Sequence, residues 1–522
     1  MKIAAIFSDG MVLQRDKEVV IFGESDRDER INITIDNISI SDNVSAGAWK
    51  IKLPAHEAGG PFVMTVSSTE ESISFEDVLY GEVWLNNGQS NIEFELTNTE
   101  NGLSEIRDAD FPFIRYYNVL KTAVVDDTFL KQEKRNSWRS FTNNSFGDVS
   151  AVGFYYAVML YKKLGVPIGL IDCYHGGTSI SCWMEYEVLD SMPEGRVYLD
   201  RIKEAIKGKT EEQLLEEQQK YDQQVELYNS KEQEIREYNP NISHDELAEL
   251  IGGFPWPPPV NQISVFRPAG LIETMMKRVV PYTLRGIVYY QGEEDALLNY
   301  NEMVNGENTF YKNLLIKMIE EYRKMYHDEK LPVIILQLPM YLENGEQDIR
   351  DWAYLREAQE TVTKETEGTF LVPLTDYGEY SNVHPINKKT PGERTGMVIL
   401  NNIYEGNSEK LYPELYDAIK EEDGVVRLLI QGAAQGLTVK ENELMDIRNG
   451  GCGDIFGFEV LVKDSDSEEK WIVPDEIRIV QDNIIIRSSK QILGVRYAFF
   501  NYGKVNIYSK NGMPLTQFSV EI

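Results

Sequence analysis

The first 76 residues carry short apolar runs that are separated by polar turns. Three of these runs, at residues 19–23, 31–35 and 62–66, are rich in β-branched and aromatic side chains. This spacing is typical of β-strands joined by tight connections. It predicts a β-rich N-terminal region over residues 1–76.

From residue 77 the pattern changes to apolar strands that alternate with helices. The strand at 168–171 follows a helical segment at 154–164 that stops at Gly165, and a second helix at about 309–326 precedes the strand at 333–336. Further buried strands are expected at 82–85 and 286–290. Such alternation predicts a parallel sheet that is covered by helices on both faces.

Residues 196–265 interrupt this pattern with a segment rich in Glu, Gln and Lys. A narrow apolar stripe runs along it at helical spacing: Leu214, Tyr221, Val225, Tyr228, Ile235 and Tyr238. The stripe predicts a helical hairpin or lid with a solvated charged face. The proline-rich run 254–259 follows and predicts a rigid loop that returns the chain to the core, with a proline-motif ligand as the alternative.

The chain becomes strand-rich again over residues 409–522. Apolar or alternating runs lie at 425–430, 476–480 and 483–486. They indicate either a second β module or the other half of the first, packed with it. At 522 residues the chain is too long for one ordinary core, so several domains are expected. The main one is predicted from two parts, 77–195 and 266–408.

Composition narrows the classes of partner. The apolar fraction of 42% is normal for a globular protein. The net charge of -33, from 85 acidic and 52 basic residues, disfavours nucleic acid and anionic membrane surfaces. Neutral sugars carry no such penalty. A homo-oligomer is compatible with the sequence.

Cysteine usage and the chain start bear on the compartment. Three cysteines cannot form a disulfide framework, and no Cys/His spacing suggests a metal site. The first ten residues lack the long apolar core of a signal peptide, and no apolar run approaches the 18 residues needed to span a bilayer. A cytoplasmic location is therefore the expectation.

Ser90 is the first candidate for chemistry. It follows the strand at 82–85 and a polar, glycine-containing turn, and residues 91–93 could open a helix. Open α/β sheets place their sites at such strand ends, and nearby helix amides can stabilise an oxyanion. A serine that merely caps a helix needs the same position. The surrounding sequence is not the GxSxG motif.

Only five histidines are available as a general base. His175 and His384 each lie in a loop past a predicted strand end, whereas His56, His244 and His327 lie in a β-rich or polar helical context. Either of the first two could act as a base, and a histidine without a role is the alternative for each. The acidic run 293–295 also follows a strand, but adjacent side chains diverge, so a glycosidase carboxylate pair or a metal site is only weakly indicated.

Five ordered segments together resemble the sialate O-acetylesterase family, a branch of the SGNH (GDSL-like) hydrolases. They are residues 7–16, 81–91, 164–171 with 176–178, 286–293, and 383–385. The resemblance implies a three-layer α/β/α hydrolase domain with a parallel sheet. The helical insertion and the β-rich regions at the two termini are accessory to that domain.

The resemblance also implies a mechanism. Ser90 would attack an acetyl carbonyl, while His384 removes its proton and later donates it to the departing sugar oxygen. The oxyanion would be bound by the backbone amide of Ser90, an amide of the Gly176–Gly177 turn and the side chain of Gln291. No cofactor is implied. Substrate contacts are expected from Gln89, Asn91 and Glu293.

Two positions depart from the family pattern. Asn382 stands where the family usually has an aspartate that supports the histidine, and a neutral amide can orient imidazole without stabilising imidazolium. The missing charge could come from a displaced carboxylate, or a backbone carbonyl could hold the ring; the candidate carboxylates are Asp376, Glu379 and Glu293. Glu294 and Asp295 stand where the family usually has Ser-Asn, which bears on substrate contacts.

The predicted function is the hydrolysis of acetyl esters on sugars. Sialic acid of the 9-O-acetyl type is the substrate that the resemblance favours. Oligosaccharides from acetylated xylan, mannan or xyloglucan are the alternative within this class. A non-catalytic carbohydrate-binding homologue and a glycosidase built on the Glu293 region are the alternatives outside it.

Overall fold

The computed structural model describes residues 1–239, 242, 244–304, 306–406, 410–433, 436–463 and 468–522. Its N-terminal strands form small antiparallel pairings that end in one long strand, β8, of 17 residues. The first half of β8 pairs with β7, and its second half enters the central sheet. The predicted end of the N-terminal region at residue 76 therefore lies within a continuous strand. The strands are β1 (Lys2–Ile3), β2 (Val12–Gln14), β3 (Val19–Ser25), β4 (Glu29–Ile35), β5 (Ile38–Val44), β6 (Gly47–Leu53), β7 (Gly59–Ser67) and β8 (Ser72–Gly88).

The central sheet has the order β10-β9-β11-β8-β12-β13-β14. All neighbours in it are parallel except β10, which pairs antiparallel at one edge. The predicted parallel sheet is confirmed, and two of its strands have the predicted bounds. The strands after β8 are β9 (Phe111–Asn118), β10 (Arg139–Phe141), β11 (Ile168–Tyr174), β12 (Gly286–Tyr290), β13 (Val333–Leu336) and β14 (Thr369–Val372).

The helices that follow in chain order are α1 (Ser90–Glu93), α2 (Gly102–Asp108), α3 (Asp127–Glu133), α4 (Ala151–Leu164), α5 (Tyr186–Ser191), α6 (Pro193–Ile206), α7 (Glu211–Tyr238), α8 (His244–Ile251), α9 (Lys277–Val279), α10 (Ala296–Asn301), α11 (Phe310–Met325), α12 (Asp351–Glu365) and α13 (Lys389–Ile399). The helix α4 ends at Gly165, as predicted, and this glycine has a left-handed conformation. No helix within the described ranges is both long and apolar enough to cross a bilayer.

Helices cover both faces of the central sheet. Successive side chains of a strand point to opposite faces, and Asn86 and Asn87 of β8 show which helix lies on each. Tyr156 of α4 donates a hydrogen bond to Asn86 Oδ1 at 2.7 Å. Tyr322 of α11 donates one to Asn87 Oδ1 at 3.2 Å. The expected three-layer α/β/α architecture is therefore confirmed.

The insertion contains the long helix α7, of 28 residues, and the shorter α8. Thr210 and Gln213 form a capping box at the start of α7. Tyr228 of the predicted apolar stripe packs with Ile242 and Leu247 in a small cluster of its own. Tyr238, at the end of the stripe, is 86% exposed. The helices therefore pack mainly on each other as a hairpin.

The C-terminal strands bury their side chains in a hydrophobic cluster separate from that of the N-terminal strands and central sheet. The alternative in which the N-terminal and C-terminal β regions pack together as one module is therefore wrong. The C-terminal region is a second β module. Arg356 of α12 anchors it through Gln517 at 2.7 Å and the carbonyl of Phe500 at 2.5 Å. The strands are β15 (Glu414–Glu422), β16 (Val425–Gln431), β17 (Leu437–Val439), β18 (Gly451–Cys452), β19 (Ile455–Phe456), β20 (Phe458–Lys463), β21 (Glu469–Ile472), β22 (Glu476–Val480), β23 (Asn483–Arg487), β24 (Ile492–Tyr497), β25 (Ile507–Ser509) and β26 (Phe518–Glu521).

A buried carboxylate joins the N-terminal strands to the central sheet. Glu82 of β8 accepts hydrogen bonds from Arg15 Nε and Arg285 Nε, each at 2.6 Å, and from Gln14 Nε2 at 3.2 Å. Burial alone would raise the pKa of Glu82, but the hydrogen bonds and charges of the two arginines hold it below its usual range.

We expect Glu82→Gln to lower the free energy of unfolding by about 3 kcal/mol, because it leaves two guanidinium groups facing a neutral amide. Urea titration measures the change. Glu18→Gln is the matched control, since Glu18 pairs with Lys52 on the surface and its loss should cost about 0.5 kcal/mol or less. Equal losses in the two variants would contradict a structural role for the buried cluster.

Candidate active site

The turn that presents Ser90 depends on a close approach of two strands. Gly88 has φ +138°, and a Cβ atom there would lie 2.1 Å from the carbonyl oxygen of Tyr290. Only glycine fits, and the next amide, of Gln89, donates to that carbonyl at 3.1 Å. Gln89 holds the cap position of α1, and Ser90 is the first residue of the helix. Helix capping therefore does not account for the serine.

Ser90 lines an open cleft of about 200 Å³ at the carboxyl edge of the sheet. His384, which comes from the loop after β14, lines the same cleft. Gly176, from the turn after β11, lines it too. The structure thus brings together three of the predicted site residues from distant parts of the chain. The remaining lining residues are Glu93, Phe94, Glu95 and Asn98.

The turn at Gly176 lies directly beside Ser90. A Cβ atom built on Gly176 would be 3.4 Å from Ser90 Cβ. The Gly176 N–H donates a hydrogen bond to the carboxylate of Glu93, which also pairs with Lys121. The amide predicted to bind the oxyanion therefore holds an anionic oxygen of the protein itself.

The loop that carries His384 is held by its own polar side chains. The backbone N–H of His384 donates to Asn382 Oδ1 at 3.1 Å. Asn382 Nδ2 in turn donates to Glu379 Oε2 at 2.6 Å, and the other oxygen of Glu379 accepts the N–H of Ile386 at 2.9 Å. Asn382 and Glu379 therefore fix the backbone on which the imidazole is mounted.

Asp376, a further candidate partner for His384, is bound elsewhere. Arg394 donates two hydrogen bonds to its carboxylate, at 2.6 and 2.7 Å. Both side chains are largely buried, at 11% and 8% exposure. Such a bidentate pair holds the carboxylate in place on α13.

Asn91 links the helix that begins at Ser90 to the loop that carries His384. Its Nδ2 donates to Glu293 Oε1 at 2.6 Å and to the carbonyl of Val383, the residue before His384, at 3.0 Å. Its Oδ1 accepts from Lys388 Nζ at 2.5 Å. Sequence analysis assigned Asn91 and Glu293 to substrate contact. Instead, Asn91 is fully buried, and neither residue is among those that line the cleft.

Glu293 and Lys388 are ionisable groups held in a nearly dry environment. Burial raises the pKa of Glu293 to about 7, and its Oε2 is buried without a hydrogen-bond partner among the described residues. Burial lowers the pKa of Lys388 to about 7, and its ammonium lies 4.6 Å from the centre of the Phe94 ring. The clamp formed by Asn91, Glu293 and Lys388 therefore contains two groups that titrate near neutrality.

The side chain of Gln291 is hydrogen-bonded to the segments that surround Ser90. Its Nε2 lies within hydrogen-bond distance of three acceptors: Gln89 Oε1 at 3.1 Å, the carbonyl of Thr178 at 3.0 Å and Asp295 Oδ2 at 2.6 Å. The side chain is fully buried and does not line the cleft. In this arrangement Gln291 and Gln89 brace the turns around Ser90, and Gln291 does not point at a bound oxyanion.

The other candidates lie outside the cleft. His175 Nδ1 is 2.9 Å from the carbonyl of Gly176, and burial lowers the pKa of its ring. Asp295 accepts the N–H of Ile180 at 2.8 Å, and burial raises its pKa to about 6. Over the described ranges, no cluster of His, Cys, Asp and Glu is arranged to hold a metal ion.

Sequence analysis did not find Lys388 or Glu93. Glu93 lies three residues after Ser90, so the helix that starts at Ser90 could have suggested that it faces the same cleft. Lys388 lies four residues after His384 and carries no local signal. Its importance comes from burial against Phe94 and Asn91, which only the tertiary structure creates.

Comparison with known proteins finds sialate O-acetylesterases by sequence and a carbohydrate acetylesterase by fold. Residues 264–386, which include His384 but not Ser90, match the family described as carbohydrate esterase, sialic acid-specific acetylesterase. The mouse sialate O-acetylesterase is 24% identical over 427 residues, which cover 75% of this chain and 72% of that protein. The rat protein is 23% identical with the same coverage.

A solved structure has the same fold along nearly the whole chain. The crystal structure of a carbohydrate acetylesterase from Xanthomonas citri matches with a TM-score of 0.73 at 23% identity and covers 99% of each chain. The family match, the relatives and this fold together support an esterase. In sequence the chain is similar to sialate O-acetylesterases, and in fold it is similar to a carbohydrate acetylesterase.

We expect Asn91→Ala to lower kcat/KM for 4-nitrophenyl acetate by about 10- to 100-fold, because it unties the His384 loop from the helix of Ser90. Initial rates measure the change, and the melting temperature tests whether the fold is kept. Asn101→Ala removes an exposed asparagine ten residues further on and should leave the rate unchanged. A fully active Asn91→Ala enzyme would show that the tie is dispensable.

Lys388→Met should change how stability depends on pH. Lys388 titrates near 7 when folded but at about 10.5 when unfolded. Between these two pKa values Lys388 is protonated in the unfolded chain but mostly neutral in the folded protein. The free energy of unfolding of the wild type therefore rises with pH. Relative to the variant, the wild type should gain on the order of 2 kcal/mol between about pH 7 and about pH 9. Urea titrations at both pH values measure this.

The neighbouring Lys389 provides the control for that experiment. Its side chain is 48% exposed. Lys389→Met should therefore show the same difference from wild type at both pH values. If Lys388→Met also differed from wild type by the same free energy of unfolding at both pH values, the folded protein would not depress the pKa of Lys388.

Proposed function

We propose that this protein is a carbohydrate O-acetylesterase in which Ser90 is the nucleophile and His384 the general base. The observation that carries the proposal is the single cleft that Ser90, His384 and Gly176 line together. Each comes from a different segment of the chain, and the fold brings the serine and the histidine to the same cleft.

The reaction proceeds in two half-reactions. Ser90 Oγ attacks the acetyl carbonyl while His384 takes its proton, and the tetrahedral intermediate collapses as His384 protonates the departing sugar oxygen. Water, deprotonated by His384, then attacks the acetyl-serine. Acetate leaves, and Ser90 regains its proton. No group beyond the chain and water is needed for these steps.

The backbone amides of Ser90 and Gly176 are the proposed oxyanion donors. Because the Gly176 amide is bonded to Glu93, the substrate must displace that carboxylate. Gln291 is too deeply buried in its own network to serve as the third donor without rearrangement.

The positive charge that develops on His384 needs a counter-charge. Asn382 supplies none, and Asp376 is paired with Arg394. Glu93 and Glu95 line the same cleft as His384. Carboxylates in a partly desolvated cleft lower the energy of a nearby imidazolium. A Ser-His dyad assisted by these two carboxylates is therefore the proposed machinery.

Two substrate classes fit this machinery. The names of the mammalian relatives favour O-acetylated sialic acid. The two carboxylates in the cleft favour a neutral acetylated sugar, because they repel an anionic one. Acetate release from 9-O-acetyl sialic acid and from acetylated xylo-oligosaccharides distinguishes the two. Cleavage of glycosidic bonds without acetate release would favour a glycosidase.

We expect Ser90→Ala to lower the rate of 4-nitrophenyl acetate hydrolysis by about 10³-fold or more, because the acyl-enzyme cannot form. Ser145→Ala, at an exposed serine, serves as the control and should hydrolyse the ester at the wild-type rate. Equal activity of Ser90→Ala and wild type would rule out Ser90. A wild-type protein without activity that still binds sugars would indicate the non-catalytic homologue.

A further inference from the structure

Trp256 is a large apolar side chain left at the surface beside the cleft. It belongs to the proline-rich loop that closes the helical insertion, and it is 47% exposed. The exposed part of this ring offers flat apolar contact area to a ligand.

The indole rests on the turn next to the nucleophile. A Cβ atom built on Gly177 would lie 2.8 Å from two carbons of the Trp256 six-membered ring. Gly177 also has φ +68°, so both its backbone and its contact with the ring require glycine. Its neighbour Gly176 is the residue that approaches Ser90. A continuous line of contacts thus runs from Ser90 to Trp256.

The ring of Phe266 also lies against Trp256. Phe266 meets Trp256 edge to face, with ring centres 5.8 Å apart and planes at 88°. Phe266 meets His175 in the same manner, at 5.6 Å and 81°. Trp256, Phe266 and the turn at Gly177 therefore contact one another, while Trp256 stays 47% exposed.

Another exposed aromatic of the same loop behaves differently. Phe254 is 40% exposed, but it packs edge to face on Tyr228 of α7, with ring centres 5.3 Å apart. Phe254 thus serves the packing of the insertion. Trp256 reaches away from the helices toward the nucleophile turn.

We propose that Trp256 is a stacking platform for the sugar ring that carries the acetyl ester, which makes the insertion a part of the substrate site. The inference rests on the proposed esterase function. The C–H face of a pyranose matches the flat apolar indole, while the ring hydroxyls remain free to bond to the cleft carboxylates Glu93 and Glu95.

The test compares an acetylated sugar with 4-nitrophenyl acetate, an activated acetyl ester that has no sugar ring. For Trp256→Ala we expect kcat/KM on the acetylated sugar that the wild type hydrolyses best to fall about 10-fold or more, chiefly through KM. Hydrolysis of 4-nitrophenyl acetate should stay within about twofold of wild type. Trp256→Phe should recover part of the loss. Phe254→Ala should match wild type on both substrates.

Two results would overturn the platform. Equal losses on both substrates would mean that Trp256 only supports the Gly176–Gly177 turn, and no loss on either would mean that the ring does not meet the substrate. Calorimetric titration of Ser90→Ala with deacetylated xylo-oligosaccharide and with sialic acid separates binding from catalysis. Weaker binding when Trp256→Ala is added would support the platform even if the wild type released no acetate.

Discussion

The site depends on the long strand β8 and the manner in which it ends. Its register with β11 and β12 aligns Gly88 with Tyr290, and the absence of a side chain at Gly88 lets the two strands stay paired up to the turn. Asn86 and Asn87, just before the turn, are bound by tyrosines of the helix layers on opposite faces. The position of Ser90 is thus fixed by the sheet and both helix layers together.

Holding His384 to this turn requires buried polar groups. Asn91 bridges Lys388, Glu293 and the carbonyl before His384, and each of these contacts places a polar or ionisable atom in a nearly dry environment. Buried charges of this kind generally cost stability compared with apolar side chains of equal size. These buried polar groups join segments almost 300 residues apart in the sequence. Hydrogen bonds are directional, so they fix the two loops relative to each other more precisely than apolar contacts would.

The sequence predicted the repetitive parts of the fold well and the polar clamp poorly. Strands such as Gly286–Tyr290 and Val333–Leu336 are short apolar runs, and a continuous apolar run predicts a strand that is buried on both faces. Ser90 and His384 could be paired only through a resemblance that spans the chain. Lys388 could not be found, since a lysine near a histidine looks like any exposed lysine until its surroundings are known. Gln291 was named from the sequence, but its buried hydrogen-bond network could not be, because its partners come from four separate segments.

The bond between Glu93 and the Gly176 amide connects these features to turnover. In the proposed mechanism a substrate oxyanion accepts the same N–H that Glu93 accepts in the structure, so the oxyanion and the carboxylate compete for one donor. Lys121 stabilises Glu93 there, but its side chain is 41% exposed, which weakens the pair through solvent screening. A sugar ring bound nearby would exclude water and offer hydroxyl donors to the released carboxylate. Displacement of Glu93 by substrate would then exchange one set of hydrogen bonds for another. Binding of the sugar, and not the chemical step, would therefore supply the free energy needed to open the oxyanion site.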